Sequence, residues 1–197
     1  QQRFFMPTLK NKTGAILLAA GLSSRFGASK LLAELDNGTT VFAQTYHHLK
    51  LAVNDVLVVT RPEIAHQLKA ISPDLLVFNS AHNGMGATLA FAIRNTSSWD
   101  SALICLADMP FISTATYKKI ACASDPRSIV VPICEGKKAN PVSFGSHFFS
   151  ELQDLTGDTG GREVLKRHPH SIRNLEITER AVLDDIDTPA DLVRLQS

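Results

Sequence analysis

The chain has 197 residues, 44% hydrophobic and 20% charged, with a net charge of +1 at pH 7. Ordinary globular usage excludes a disordered or fibrous chain, and the balanced charge provides no basic footprint for nucleic acid. No apolar run approaches the ~18 residues of a membrane span, and Cys105, Cys122 and Cys134 are widely spaced with no Cys-x-x-Cys pair, as expected of a reduced, cytoplasmic protein without structural zinc.

Residues 1–13 read as an N-terminal extension, with Gln1–Phe5 an expression remnant before a start at Met6. Residues 14–197 read as one domain. Short, uninterrupted apolar runs at Ala15–Ala20, Val56–Thr60, Leu75–Phe78, Ala102–Ala107 and Ile129–Ile133 suit strands buried on both faces. Between them, helical spacing appears over Thr40–Leu51, Glu63–Ile71 and Thr88–Arg94, and over Ser113–Ala123, where Ser113 is a candidate N-cap. This alternation predicts an α/β three-layer sandwich with a mainly parallel central sheet. After Ser124 the rhythm changes. Pro141–Phe144, Ile172–Leu175 and Ala181–Leu183 look extended, and His147–Gln153, Gly161–Arg167 and Thr188–Leu195 look helical, the last with Pro189 in its first turn.

The strongest chemical signal follows the first strand, in Leu18-Ala-Ala-Gly-Leu-Ser-Ser-Arg-Phe-Gly-Ala-Ser-Lys30. Ligands of open α/β sheets bind beyond the carboxyl ends of the strands. Ala19, Ala20, Gly21 and Gly27 let the backbone approach a ligand closely, and Ser23 and Ser24 add donors. Arg25 and Lys30 add a forked and a point-like cation. Successive amides with two cations suit a polyphosphate. Neither the Walker A spacing nor Gly-x-Gly-x-x-Gly is present.

The pattern Leu18-Ala-Ala-Gly-x-Ser-x-Arg-x-Gly-x-x-Lys30 resembles the signature of nucleotidyltransferases with the pyrophosphorylase-type, Rossmann-like fold. Within that superfamily the chain is similar to the MocA-like molybdenum cofactor cytidylyltransferase group. The resemblance runs from about Gly14 to Leu195. It is also carried by Asn83-Gly-Met-Gly-Ala-Thr-Leu89, Ala107-Asp-Met-Pro110, Gly157-Asp-Thr-Gly-Gly-Arg162 and Asp185-Ile-Asp-Thr-Pro-Ala-Asp191.

Each segment also has a reading of its own. Asp108 ends an apolar strand, and one carboxylate plus nucleotide phosphates is the usual way to hold Mg²⁺. Asp185 and Asp187 share a face if their segment is extended. The resemblance implies a metal role for Asp108 and for one of that pair, here Asp187. Gly84 and Gly86 permit close backbone approach at a helix start that favours an anion or a base edge. The resemblance implies nucleotide contacts for Leu18, Ala19, Ala20, Gly21, Ser23, Ser24, Arg25 and Lys30, and for Asn83, Gly84, Met85 and Gly86, with His82 a neighbour. It implies acceptor contacts for Asn140, Pro141, Gly160, Gly161 and Arg162. The catalytic set is then Arg25, Lys30 and Asp108.

The activity implied is Mg²⁺-dependent transfer of CMP from CTP to the phosphate of molybdopterin-bound molybdenum cofactor, releasing pyrophosphate, with a molybdoenzyme as a downstream partner. Ala-Ala-Gly in the first motif, rather than Ala-Gly-Gly, points to CTP over GTP. The alternatives are a related transferase using GTP or another phosphorylated acceptor, or a cofactor-binding chaperone. Ala139 stands where the group pattern suggests glycine.

Overall fold

The computed structural model describes residues 11–21, 26, 29–96 and 98–196. Eight strands form one sheet: β1 (Thr13–Ala19), β2 (Val56–Thr60), β3 (Leu76–Val77), β4 (Ser101–Leu106), β5 (Ile129–Cys134), β6 (Lys137–Lys138), β7 (Val142–Gly145) and β8 (Ile172–Glu176). Their order is β3-β2-β1-β4-β7-β5-β6, with β8 beside β5. Pairs β1–β2, β1–β4, β2–β3 and β5–β8 are parallel, whereas β7 runs antiparallel to both β4 and β5. The fold is therefore α/β and Rossmann-like, with a mostly parallel sheet.

Among the described residues, seven α-helices pack on the sheet or at its end: α1 (Val41–Ala52), α2 (Pro62–Lys69), α3 (Met85–Arg94), α4 (Thr114–Ala123), α5 (Phe149–Gln153), α6 (Arg162–Arg167) and α7 (Pro189–Gln196). Alternation along β1 shows why its sequence has no polar beat. Ala15, Leu17 and Ala19 enter the core shared with α1, α2 and α4, while Ile16 and Leu18 enter the core shared with α3, α5 and α6. Thr40 and Ser113 cap α1 and α4, each accepting an N–H three residues on at 3.2 Å.

The chain leaves β1 toward β2 and β3, then returns through α3 to β4 on the other side of β1. The carboxyl ends of β1 and β4 thus form the switch point where open α/β sheets bind ligands. Two local expectations change. Ala181–Leu183 lies within a 3₁₀ turn, Arg180–Leu183, and is not extended. Its Ala-Val-Leu run is too short for periodicity to separate strand from turn, and Val182 is simply buried. Helix α3 starts at Met85, before the expected Thr88, because a turn from residues 157–158 supplies acceptors for its first amides. No helix among the described residues is long and apolar enough to cross a membrane.

Candidate active site

A cleft of about 570 Å³ opens at the switch point, within the range of small-molecule sites. Leu18, Ala20 and Gly21 line it from the exit of β1, and Leu106 and Asp108 from the exit of β4. Lys30, Leu31, five residues between Ala81 and Thr88 (those two, His82, Gly84 and Met85), Asp158, Asp185 and Asp187 complete the wall.

At the floor, side chains from three distant segments meet. Lys30 begins the 3₁₀ turn Lys30–Leu32 and is only 8% exposed. Its Nζ lies 2.6 Å from Asp108 Oδ2 and 2.9 Å from Asp187 Oδ1. Asp108, Asp185 and Asp187 each present a carboxylate oxygen within 4.8 Å of the other two. Asp108 Oδ1 is buried without a hydrogen-bond partner among the described residues.

Local backbone bonds hold this arrangement. The Ile186 N–H donates to the Asp108 carbonyl at 3.0 Å, laying the C-terminal segment beside the exit of β4. Ile186 is wholly buried, so the acids on either side of it face the cleft. The Thr45 hydroxyl, from α1, donates to the Ala107 carbonyl at 3.1 Å. The Ala107 N–H in turn donates to the Leu18 carbonyl at 3.1 Å.

Burial works against the charge on Lys30, but Asp108 and Asp187 outweigh it and hold the ammonium above its ordinary pKa. Burial also pushes the Asp108 carboxyl up; Lys30 opposes the rise and the like charge of Asp185 adds to it, leaving Asp108 above the usual carboxylate value. The two directions agree physically, because one ammonium does not neutralise three clustered acids.

The second wall departs from expectation in one respect. The N–H groups at the start of α3 do not face a ligand. Met85 donates to Asp158 Oδ1 at 3.2 Å, and Gly86 donates to the Gly157 carbonyl at 2.7 Å. Gly84 has φ +103°, and a Cβ there would lie 2.3 Å from Asp158 Oδ1 and 2.6 Å from the Gly157 backbone. Gly84 therefore admits the 157–158 turn, and the anion-attracting end of the helix is already satisfied by a carboxylate.

Among the expected nucleotide residues, Leu18, Ala20, Gly21, Lys30, Gly84 and Met85 line the cleft, as does His82. Ala19 is buried in the core, and Asn83 and Gly86 lie outside the lining. Ser23, Ser24 and Arg25 fall outside the described residues.

The expected acceptor residues sit further out. Strand β7 starts at Val142 opposite Ile104, which puts Asn140 and Pro141 at the carboxyl edge of β4 but not in the cleft lining. The Asn140 N–H donates to the Val182 carbonyl at 3.1 Å. A Cβ on Gly160 would rest 3.5 Å from the sulfur of Met85, and Gly161 lies against the Phe144 ring. Arg162 is exposed at the start of α6. Asp158 is the charged lining residue that sequence reasoning missed: it lies within Gly157-Asp-Thr-Gly-Gly-Arg162, but nothing local marks a carboxylate that caps a helix 73 residues away.

An α/β sheet whose switch-point cleft holds a lysine and three carboxylates suits a phosphorylated ligand with a divalent ion. The chain belongs to the MobA-like NTP transferase domain family, whose model matches residues 15–172. It is 31% identical to the purine catabolism protein PucB of Bacillus subtilis (strain 168) over 194 residues, covering 91% of this chain and 94% of the relative. It is 23% identical to the molybdenum cofactor cytidylyltransferase of Escherichia coli (strain K12) over 180 residues, covering 90% and 92%. Among solved structures, Rv0371c from Mycobacterium tuberculosis H37Rv superposes with a TM-score of 0.83 at 25% identity, covering 94% of this chain and 98% of that one.

Proposed function

We propose that this protein transfers CMP from CTP to the terminal phosphate of molybdenum cofactor and releases pyrophosphate. The observation that carries the proposal is the meeting of Lys30 with Asp108, Asp185 and Asp187 at the cleft floor. The cytidylyltransferase relative and the Ala19-Ala20-Gly21 sequence support CTP as donor.

The donor set fits Mg²⁺. It is made of three clustered carboxylates, and it includes the buried Asp108 Oδ1, which has no hydrogen-bond partner among the described residues. Asp108, Asp187 and Asp185 would hold the ion, which when bound supplies charge neutralisation to the phosphate oxygens.

The rest is the work of the chain. Lys30 and Arg25 offset the charge of the triphosphate, and the amides of Ala20 and Gly21 approach it without a bulky side chain between. The acceptor phosphate already carries a nucleophilic oxygen, so its attack on the α-phosphorus needs no strong general base. Bond formation to that oxygen accompanies cleavage of the α–β bridge, and the electron pair leaves on pyrophosphate. Catalysis is then positioning and electrostatic stabilisation. Asn140, Pro141, Gly160, Gly161 and Arg162 would form the acceptor side.

The test is incubation with Mg²⁺, isolated molybdenum cofactor and either CTP or GTP, with products weighed by mass spectrometry. The cytosine dinucleotide form of the cofactor is the expected product. A guanine dinucleotide would replace the donor assignment, and cofactor binding with no nucleotide consumed would favour a carrier role.

A further inference from the structure

We propose that Lys30 is an exchangeable cation: its ammonium holds Asp108 and Asp187 until a divalent ion takes those carboxylates, and it then moves onto the triphosphate. Cation and nucleotide binding are coupled through this one side chain. The inference rests on the nucleotidyl-transfer reading and adds to it an order of events.

Three facts lead there. Nζ of Lys30 sits 2.6 and 2.9 Å from two of the three acids whose oxygens cluster within 4.8 Å. A divalent ion bound to the same oxygens at ~2.1 Å would lie only a few ångströms from the ammonium. Two cations so close repel strongly where water is scarce, and Lys30 is 8% exposed. The third fact is that, among the described residues, the buried Asp108 Oδ1 has no hydrogen-bond partner even with Lys30 in place. The lysine therefore leaves that buried oxygen unused, and an ion with higher charge and more coordination sites displaces it. Lys30 lines the same cleft as Ala20 and Gly21, and its flexible four-carbon stem lets the ammonium turn from the acids toward phosphate oxygens. Without a triphosphate to receive the ammonium, displacement leaves a poorly solvated cation beside the ion, so metal alone binds weakly.

Mn²⁺ titration of the full chain, followed by the paramagnetic resonance signal of free Mn²⁺, tests this with and without the non-cleavable analogue α,β-methylene-CTP. In the native protein the analogue should tighten Mn²⁺ binding at least tenfold. In Lys30→Met, Mn²⁺ alone should bind at least fivefold tighter than in the native protein, and the analogue should add less than threefold. Equal or weaker Mn²⁺ binding by a Lys30→Met protein with native circular dichroism would overturn the exchange. Should that variant fail to fold, the native protein still decides. The Lys30 side-chain ammonium resonance, assigned by nitrogen NMR, should shift as Mg²⁺ and the analogue saturate the site, and a fixed resonance refutes the movement. Pyrophosphate release by the native protein despite a negative metal titration would leave the transferase reading standing while removing this inference. Tenfold tightening of Mn²⁺ by the analogue in a protein that releases no pyrophosphate from CTP would leave the exchange standing while removing the transferase reading.

Discussion

Asp108 and Lys30 depend on each other, yet they are not equally replaceable. In Asp108→Asn, Lys30 keeps its contact with Asp187 at 2.9 Å, so the buried ammonium retains a carboxylate and the fold should persist. The proposed metal set, however, loses its most buried acid. Turnover should fall by ~10²-fold or more, the scale of removing one preorganised electrostatic group, with little change in thermal midpoint. Pyrophosphate release alongside a melting curve checks both halves. Gly84 makes a separate point at the same scale. Its φ of +103° and the closeness of the Gly157 backbone leave no room for a methyl group. Gly84→Ala should cost more than ~1 kcal/mol in urea unfolding, since such backbone geometry is nearly exclusive to glycine. An unchanged midpoint would show that the 157–158 turn is not seated as described. In the sequence, Lys30 and Asp108 stood out because the lysine ends the first-loop motif and the aspartate ends an apolar run. What Gly84 does was hidden, because a glycine that admits a ligand and one that admits another turn look alike in sequence.

At the scale of elements, α7 begins with a reciprocal cap that the sequence reading passed over. The Thr188 hydroxyl accepts the Asp191 N–H at 3.2 Å, while Asp191 Oδ2 accepts the Thr188 N–H at 2.9 Å and the Asp187 N–H at 3.3 Å. Asp191 thus orients the backbone that carries Asp187, one of the three clustered acids. The hydrogen bond from Thr188, then that from Arg194, holds the Asp191 carboxyl down at about 2. A depressed carboxyl stabilises the folded state above its unfolded value and loses that contribution as pH falls through the folded one. The cap should therefore weaken between about pH 4 and pH 2. Asp191→Asn should remove that acid transition from α7, read by proton-resolved NMR of its amides. It should also raise the Mg²⁺ requirement of turnover.

Helix α4 offers the opposite case. The Tyr117 hydroxyl is buried with no hydrogen-bond partner among the described residues, and burial drives its pKa well above the ordinary phenol value. An unpaired buried donor costs ~1–3 kcal/mol, so Tyr117→Phe should be neutral or stabilising in urea unfolding. A clear loss would reveal a partner for the hydroxyl. Strands β1, β2 and β4 and helices α1 and α4 were legible because burial on both faces removes polar alternation, because apolar residues recur at helical spacing, and because Ser113 marks the start of α4. The 3₁₀ turn at Arg180–Leu183 was not, since four residues hold too little periodicity to identify it.

Across the whole molecule, the site exists only because the topology closes it. Lys30 and Asp187 are 157 positions apart, yet they touch. The return of the chain from β3 to β4 places Asp108 beside the exit of β1, and the Ile186–Asp108 backbone bond brings the last segment home. Motifs showed which residues carry charge, but not that the lysine would lie on the acids, because that depends on side-chain positions set by packing. Asn140 and Gly160 lie outside the cleft lining, so the proposed donor and acceptor contacts should be separable by mutation. Arg162→Ala should raise the KM for the phosphorylated acceptor while leaving the KM for the nucleotide unchanged. An equal rise in both would merge the two halves.

The most direct measurement is pyrophosphate release from CTP and Mg²⁺ with isolated molybdenum cofactor, run in parallel on the native protein and Asp108→Asn. The account predicts cofactor-dependent release by the native protein, a cytosine dinucleotide product, and near-background rates in the variant. Equal rates in the two proteins, or no CTP consumed by the native one, would contradict it.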